Sequence, residues 1–253
     1  MSRARTPRDL PGDPGLVPTT RANERGPYVG RATRTPRRFA RDPGLERLLQ
    51  ELARGFGAQR WWPARTPFEV MVGAILTQNT AWTNVERALA RLRASLALTP
   101  ATLLGTPEEM LAELVRPSGY FRMKARKLHA LSEWYLAAGG LAALATRPLA
   151  PLRAELLGVW GVGPETADSI LCYGAGRRVA VVDVYTRRLL GRHALADGDA
   201  PYEEVRAWLE ERLVDSQAVY EEFHALAVRA GNAFCKPTPR CEACVATAPA
   251  GPR

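Results

Sequence analysis

The chain has 253 residues, 46% of them hydrophobic, enough for one large core or two modest ones, and this excludes a wholly disordered polypeptide. Its 35 Lys and Arg outnumber 26 Asp and Glu to give a net charge of +9, a balance that favours a polyanionic partner through counterion release. No apolar run approaches the roughly eighteen residues of a membrane span, and no apolar segment follows the basic N-terminus as in a secretory signal; the expected site is therefore cytoplasmic, with no membrane partner.

Residues 1 to about 43 carry ten arginines among Pro, Gly and Thr without apolar periodicity, and are expected to form a disordered basic arm. A helix is predicted next from Leu45, Leu48, Leu49 and Leu52 on one face, stopping at Gly55 and Gly57. In Arg60-Trp61-Trp62-Pro63 two adjacent tryptophans precede a proline in a loop. They cannot both fill one core face, so one is expected to face a ligand.

Thr66-Pro67-Phe68-Glu69 reads as a capping box that launches the apolar helix FEVMVGAIL, buried on most sides. That helix ends in Thr77-Gln78-Asn79-Thr80. Trp82, Val85, Leu89, Leu92 and Leu96 then form a helical stripe, and Trp82 is either its first core residue or a ligand-facing ring. A second box, Thr106-Pro107-Glu108-Glu109, starts a short helix through Leu114. After Pro117-Ser118-Gly119 another helix carries Arg122, Lys124, Arg126 and Lys127 in its first half. Cations there oppose the helix dipole, which fits a solvated face or a nearby anion.

Residues 152–189 read as a helix, a glycine hairpin, a second helix and an apolar run ending on an acid. Pro151 suits a first helical turn, and Gly158 a helix end with left-handed backbone. Gly161 and Gly163 permit a tight turn with positive φ, and Pro164 opens the next helix with free N–H groups that can hold a phosphate. The second helix should end near Gly174. Val179 to Val182 is the one short strand-like run, and it leads into Asp183, placed to cap the helix that follows. A carboxylate at a helix N-terminus stays ionised and can face a developing positive charge. Helices are expected over Tyr202 to Leu213 and Gln217 to Ala230, the latter closed by Gly231, so the fold class is all-α.

The tail holds Cys235, Cys241 and Cys244 at thiolate-ligand spacing for an iron–sulfur or zinc site in a reducing compartment. Three ligands complete neither. Position 250, where a fourth would stand, is Ala, and Cys172 sits in a predicted helix interior. His129, His193 and His224 are scattered and read as surface or packing residues.

Trp61-Trp62-Pro63, Gly73 to Thr80, Val115 to Gly119, Glu165 to Tyr173 and Val181-Val182-Asp183 together resemble the endonuclease III superfamily of helix-hairpin-helix DNA glycosylases. The resemblance covers about residues 45–245 and is nearest to the 3-methyladenine DNA glycosylase III type. It implies two helical lobes flanking a DNA-binding cleft: a contiguous lobe, 64–178, with the helix-hairpin-helix motif, and a second, 44–63 plus 179–253, with the cysteine tail. The implied activity is base excision repair on double-stranded DNA containing a damaged base, in a nucleoid-associated cytoplasmic protein, with a monomer as the default.

Site residues carry over from the same resemblance. Asp183 would be catalytic. Trp62 and Trp82 would stack on the extruded base, with Glu165 beside them. Gln78 would fill the gap the base leaves, and Gly161, Gly163, Thr166, Lys124 and Lys127 would contact DNA. Where endonuclease III has a lysine nucleophile, this chain has Glu165, which cannot form an imine, so a monofunctional enzyme without lyase activity is expected. A methylated purine such as 3-methyladenine is cationic, and each tryptophan face would attract it by about 0.5 to 2 kcal/mol. Cys235, Cys241 and Cys244 would be the remaining metal ligands of a 4Fe-4S cluster that the chemistry does not require. The alternatives are a glycosylase for another damaged or mismatched base and a catalytically inactive DNA-binding protein.

Overall fold

A computed structural model of the chain describes residues 35–59 and 61–246. Residues 1–34 of the expected basic arm, Arg60 and Ala250 lie outside the described residues. Among those described, every regular element is helical, and the sole β-type feature is an isolated bridge between Ala40 and Leu213. No helix among them is long and apolar enough to cross a membrane. The chain divides into two compact units: one continuous, Trp62–Val179, the other joining the chain through Trp61 to the chain from Ala180 onward.

The continuous unit is built on α2 (Pro67–Thr77), in which every residue from Phe68 to Leu76 is buried. With no polar face, α2 can only be a central helix. Thr66 Oγ1 accepts the Glu69 N–H at 3.1 Å, while the Glu69 carboxylate reaches back to the Arg65 N–H at 3.2 Å and pairs with Arg93. Against α2 pack α3 (Trp82–Ser95), α6 (Phe121–Ala137) and α9 (Pro164–Ser169), and the unit also contains α4 (Pro100–Gly105), α5 (Glu108–Val115), α7 (Gly140–Thr146) and α8 (Leu149–Leu157). Helix α9 runs on into a π-helical turn, Ile170–Gly174, and so ends where expected. The second capping box is not formed as expected. The N-cap of α5 is Pro107, and the Thr106 hydroxyl instead donates backwards to the Thr102 carbonyl at 2.7 Å, closing α4.

The discontinuous unit contains α1 (Pro43–Phe56), α10 (Val184–Arg192), α11 (Tyr202–Arg212) and α12 (Gln217–Ala233). Leu45, Leu48, Leu49 and Leu52 form the buried face of α1, as their spacing predicts. The arm expected to be disordered up to residue 43 is packed in its last part. Phe39 is fully buried, the Phe39 and Ala40 N–H groups donate to Glu46 Oε2 at 2.8 and 2.7 Å, and the Phe39 carbonyl accepts the Val214 N–H at 2.8 Å. One apolar anchor and a paired backbone outweigh the polar composition around them.

Two further expectations are corrected here. Gly231 does not end α12, which continues to Ala233; a Cβ at Gly231 would lie 2.2 Å from Tyr185 Cδ1, so the glycine is there to let α12 and α10 approach closely. The apolar run Val179–Val182 is buried and not helical, yet it forms no strand. The Val179 N–H goes to the Arg177 carbonyl at 3.2 Å, and two further amides go to side chains: Ala180 N–H to Glu210 Oε1 at 3.1 Å and Val182 N–H to Tyr202 Oη at 3.3 Å.

Candidate functional site

In the continuous unit, α8, a glycine turn and α9 form the hairpin. Gly158 is right-handed at φ −76°, contrary to the left-handed end expected there, and the helix simply runs out through shared bonds to the carbonyls before it. The left-handed residue is Gly161, at φ +83°. A Cβ on it would also lie 2.6 Å from Lys127 Cγ and Cε, so a side chain is barred twice. Gly163 is extended at φ −97° with open space around it, and is therefore not needed for the turn. Beneath the turn, Arg153 of α8 grips the fully buried Asp168 of α9 through two bonds of 2.7 and 2.9 Å. That bidentate pair fixes the two arms of the hairpin and was not legible in the sequence.

Four of the expected DNA-binding residues meet at the hairpin. Gln78 Nε2 donates to the Gly161 carbonyl and to Thr166 Oγ1, both at 3.0 Å, and its Oε1 accepts Lys127 Nζ at 2.5 Å. Gln78 thus joins the end of α2, the hairpin and α6 in one network. Lys124 is different and corrects the expectation of a phosphate contact. It is 2% exposed, with Nζ donating to the Leu76 carbonyl at 2.8 Å and the Ser118 carbonyl at 2.7 Å. Burial, then the charge of Lys127, lower its pKa to about 8. Its position at the last carbonyls of α2 makes it a helix C-terminal cap rather than a ligand for DNA. Glu165 is exposed in the first turn of α9, where an acid complements the helix dipole. Nearby, Trp160 is 40% exposed with the Arg126 guanidinium 4.5 Å above its ring, and Tyr120 is 70% exposed.

Trp62 and Trp82 are brought together, edge to face, with ring centroids 5.3 Å apart, and Tyr173 leans on Trp62 at 5.4 Å. Both tryptophans are buried, at 5% and 8% exposure, and Trp61 is the more open of the adjacent pair.

In the discontinuous unit, Asp183 is the N-cap of α10, with Oδ1 accepting the Thr186 N–H at 2.7 Å. Its Oδ2 faces His224 Nε2 of α12 at 3.4 Å. Burial works to raise the carboxyl pKa, but the charge and hydrogen bond of His224 and the bonds from Thr186 outweigh it and hold Asp183 below the ordinary carboxylate range. The site is a buried, ionised, oriented carboxylate. His224, read from sequence as a packing residue, belongs to it, and no spacing signal tied it to an acid about forty residues earlier.

A second buried acid stands two residues before His224. Glu222 is 2% exposed and its two oxygens lie 3.0 and 3.2 Å from the Gln59 N–H; burial raises its pKa to about 7, against a smaller lowering by that backbone bond. A carboxyl raised on folding contributes stability that is intact below the unfolded value and lost as pH rises through the folded one. Glu222→Gln, which keeps an acceptor for Gln59, is therefore expected to match the wild type near pH 4 and to exceed it by about 2 to 3 kcal/mol at pH 8. Urea unfolding at the two pH values checks this; equal stability at pH 8 would contradict it.

In the cysteine tail, burial raises the pKa of the Cys244 thiol, and the charges of Cys235 and Cys241 raise it further. Among the described residues no three His, Cys, Asp or Glu side chains are arranged to hold a metal ion. Cys235 Sγ instead lies 3.2 Å from Arg192 Nη1, and Arg188 and Arg192 donate to the carbonyls of Cys235, Lys236 and Pro237 at 2.6 to 2.8 Å.

Comparison with known proteins bears on both units. A family model described as HhH-GPD superfamily base excision DNA repair protein matches residues 72–214. A candidate DNA repair glycosylase of Methanocaldococcus jannaschii is 41% identical over 192 residues, covering 75% of this chain and 87% of that protein. The solved structure of the Helicobacter pylori 3-methyladenine DNA glycosylase bound to 1,N6-ethenoadenine is similar at TM-score 0.64 and 28% identity, over 75% of this chain and 97% of that one. A trapped covalent complex of endonuclease III with DNA is similar at TM-score 0.66 and 25% identity, over 78% and 89%.

Proposed function

We infer, since the chain belongs to the HhH-GPD superfamily of base excision DNA repair proteins and is a DNA glycosylase of that superfamily, that it hydrolyses the N-glycosidic bond of alkylated purines such as 3-methyladenine and does not cut the strand. The observation that carries this reading is the buried, ionised Asp183 carboxylate, held by the Thr186 N–H. As the C1′–N bond breaks, its electron pair leaves with the base, and positive charge develops on the sugar. A fixed carboxylate stabilises that charge and orients a water whose oxygen then bonds to C1′ as one of its O–H bonds breaks and the proton passes to solvent. A cationic methylated base departs neutral, so no general acid is required to assist it.

The proposed substrate class is supported by the relative solved with 1,N6-ethenoadenine, which is named a 3-methyladenine DNA glycosylase; in the Trp62, Trp82 and Tyr173 cluster both tryptophans are buried, and one ring would have to part from its neighbours to stack on a cationic base. The lack of strand cutting rests on Glu165, which stands where endonuclease III has its lysine and offers no amine for an imine. Double-stranded DNA is the proposed partner, anchored by backbone N–H groups at the hairpin and by Lys127. Gln78 is assigned to holding the hairpin turn, because entering the gap of a flipped base would break its bonds to Gly161 and Thr166.

Chromatography of bases released from methylated genomic DNA, beside duplexes carrying single mismatches, tests the substrate class. Release of 3-methyladenine is expected, and release from mismatches alone would overturn it. Borohydride reduction during turnover tests the absence of imine chemistry: no protein–DNA adduct should form, and a trapped adduct would contradict the role given to Glu165.

A further inference from the structure

We propose that His224 is a positioning residue for catalysis, its imidazole aimed at Oδ2 of Asp183 so that both carboxylate oxygens are held and the carboxylate plane is fixed. The proposal rests on the reading of Asp183 as the catalytic acid and goes beyond it by assigning a residue to the reaction from a different helix.

Several independent features place that imidazole. Asp183 Oδ1 is taken by the Thr186 N–H at 2.7 Å, which leaves Oδ2 as the oxygen facing His224 Nε2 at 3.4 Å. Asp183, Thr186 and His224 are all buried, at 7%, 0% and 5% exposure, so water does not compete freely for either partner. On α12, His224 stands seven residues, two helical turns, before Gly231, so the two lie on one face. That face packs on α10: Gly231 touches Tyr185 so closely that a Cβ would sit 2.2 Å from its ring, and Tyr185 is only two residues beyond Asp183. The helix spacing that brings the imidazole to the carboxylate is thus one that only glycine permits.

The acids beside His224 on its own helix are engaged elsewhere. Glu221 accepts Gln217 Nε2 at 3.0 Å, and Glu222 accepts the Gln59 N–H. An imidazole N–H donated to Oδ2 keeps the carboxylate ionised and stops it turning about its Cβ–Cγ bond, while the capping bond holds the other oxygen. A carboxylate aligned before the sugar charge develops has no reorganisation to make at the transition state.

The test compares His224→Phe, which keeps a flat ring without a donor, with His224→Gln, which keeps an N–H donor. Single-turnover base release is measured against pH, alongside DNA affinity and thermal stability. His224→Phe is expected to slow base release by about tenfold to a hundredfold, the range for lost supporting hydrogen bonds. The acid limb of its rate profile should move to higher pH, because Asp183 loses a partner that keeps it ionised, while DNA affinity stays within about twofold. His224→Gln should restore most of the rate and the wild-type acid limb. An unchanged rate and acid limb in His224→Phe would overturn the proposal while leaving Asp183 in place. If His224→Phe does not fold, a His224→Gln variant that folds but is as slow as Asp183→Asn would overturn it as well. Full activity in Asp183→Asn would instead remove the reading on which the proposal rests.

Discussion

Asp183→Asn is expected to slow single-turnover base release about a thousandfold or more while leaving DNA affinity within about threefold. The substitution separates two roles that one side chain performs. The asparagine carbonyl oxygen still accepts the Thr186 N–H, and Asn caps a helix about as well as Asp, so α10 should start at the same residue with a stability change of a few tenths of a kcal/mol. What disappears is the negative charge. The pKa shift is consistent with this design: in the folded protein the carboxyl lies below its ordinary 3.8, so it is ionised through the whole neutral range and its contribution to stability is lost only as pH falls below that value. A rate retained in Asp183→Asn would leave the residue as a cap alone and favour a DNA-binding protein without catalysis.

Gly161→Ala is the second substitution with a large expected effect, on binding rather than chemistry. The new Cβ would have to adopt φ +83° and would lie 2.6 Å from the Lys127 side chain, which is itself bonded to Gln78. The turn would shift, and the Gly161 carbonyl would leave Gln78 Nε2. A loss of about 1 to 3 kcal/mol in stability is expected from the strained backbone, with DNA affinity falling at least about tenfold, an energy near 1.4 kcal/mol. Gly163→Ala is the matched control: its φ is −97° and a Cβ there meets nothing within 4 Å, so its stability should stay within about 0.5 kcal/mol of wild type. Equal losses in the two variants would show that the hairpin does not depend on the left-handed residue.

The contrast between those glycines illustrates what the sequence could convey. Gly-Val-Gly between two helices was legible as a hairpin, but which glycine carries the positive φ depends on the path of the chain, not on composition. The all-α class, the buried α2 and the apolar face of α1 followed from spacing and from Thr-Pro starts. The same signal at Thr99-Pro100 marks α4, whose six residues are too short for any periodicity to show. The pattern around Thr106 matches a cap, yet its hydroxyl closes the helix before it. A hydroxyl can serve either neighbour, and tertiary packing decides.

Charge was the least legible feature. Lys124 and Lys127 stand on one cationic stretch, but one is buried under two carbonyls and the other holds Gln78. Three residues apart they share a helix face, but one lies against the last carbonyls of α2 and the other one turn further along, beside Gln78. Asp183 could be placed at a helix start, whereas His224, Tyr202 and Glu210, which hold it or the run before it, come from two later helices and leave no local pattern. Cysteine spacing likewise raised a metal site, while Arg188 and Arg192 engage the carbonyls of the same segment.

The most direct measurement uses an end-labelled duplex carrying methylated purines, incubated with the protein and split into two portions, one run on a denaturing gel as it stands and one after hot alkali. Free 3-methyladenine in solution, intact strands before alkali and breaks at adenines after it are the predicted result. Breaks that appear without alkali, or methylated bases that stay attached while the protein binds the duplex, would contradict a hydrolytic glycosylase for alkylated purines.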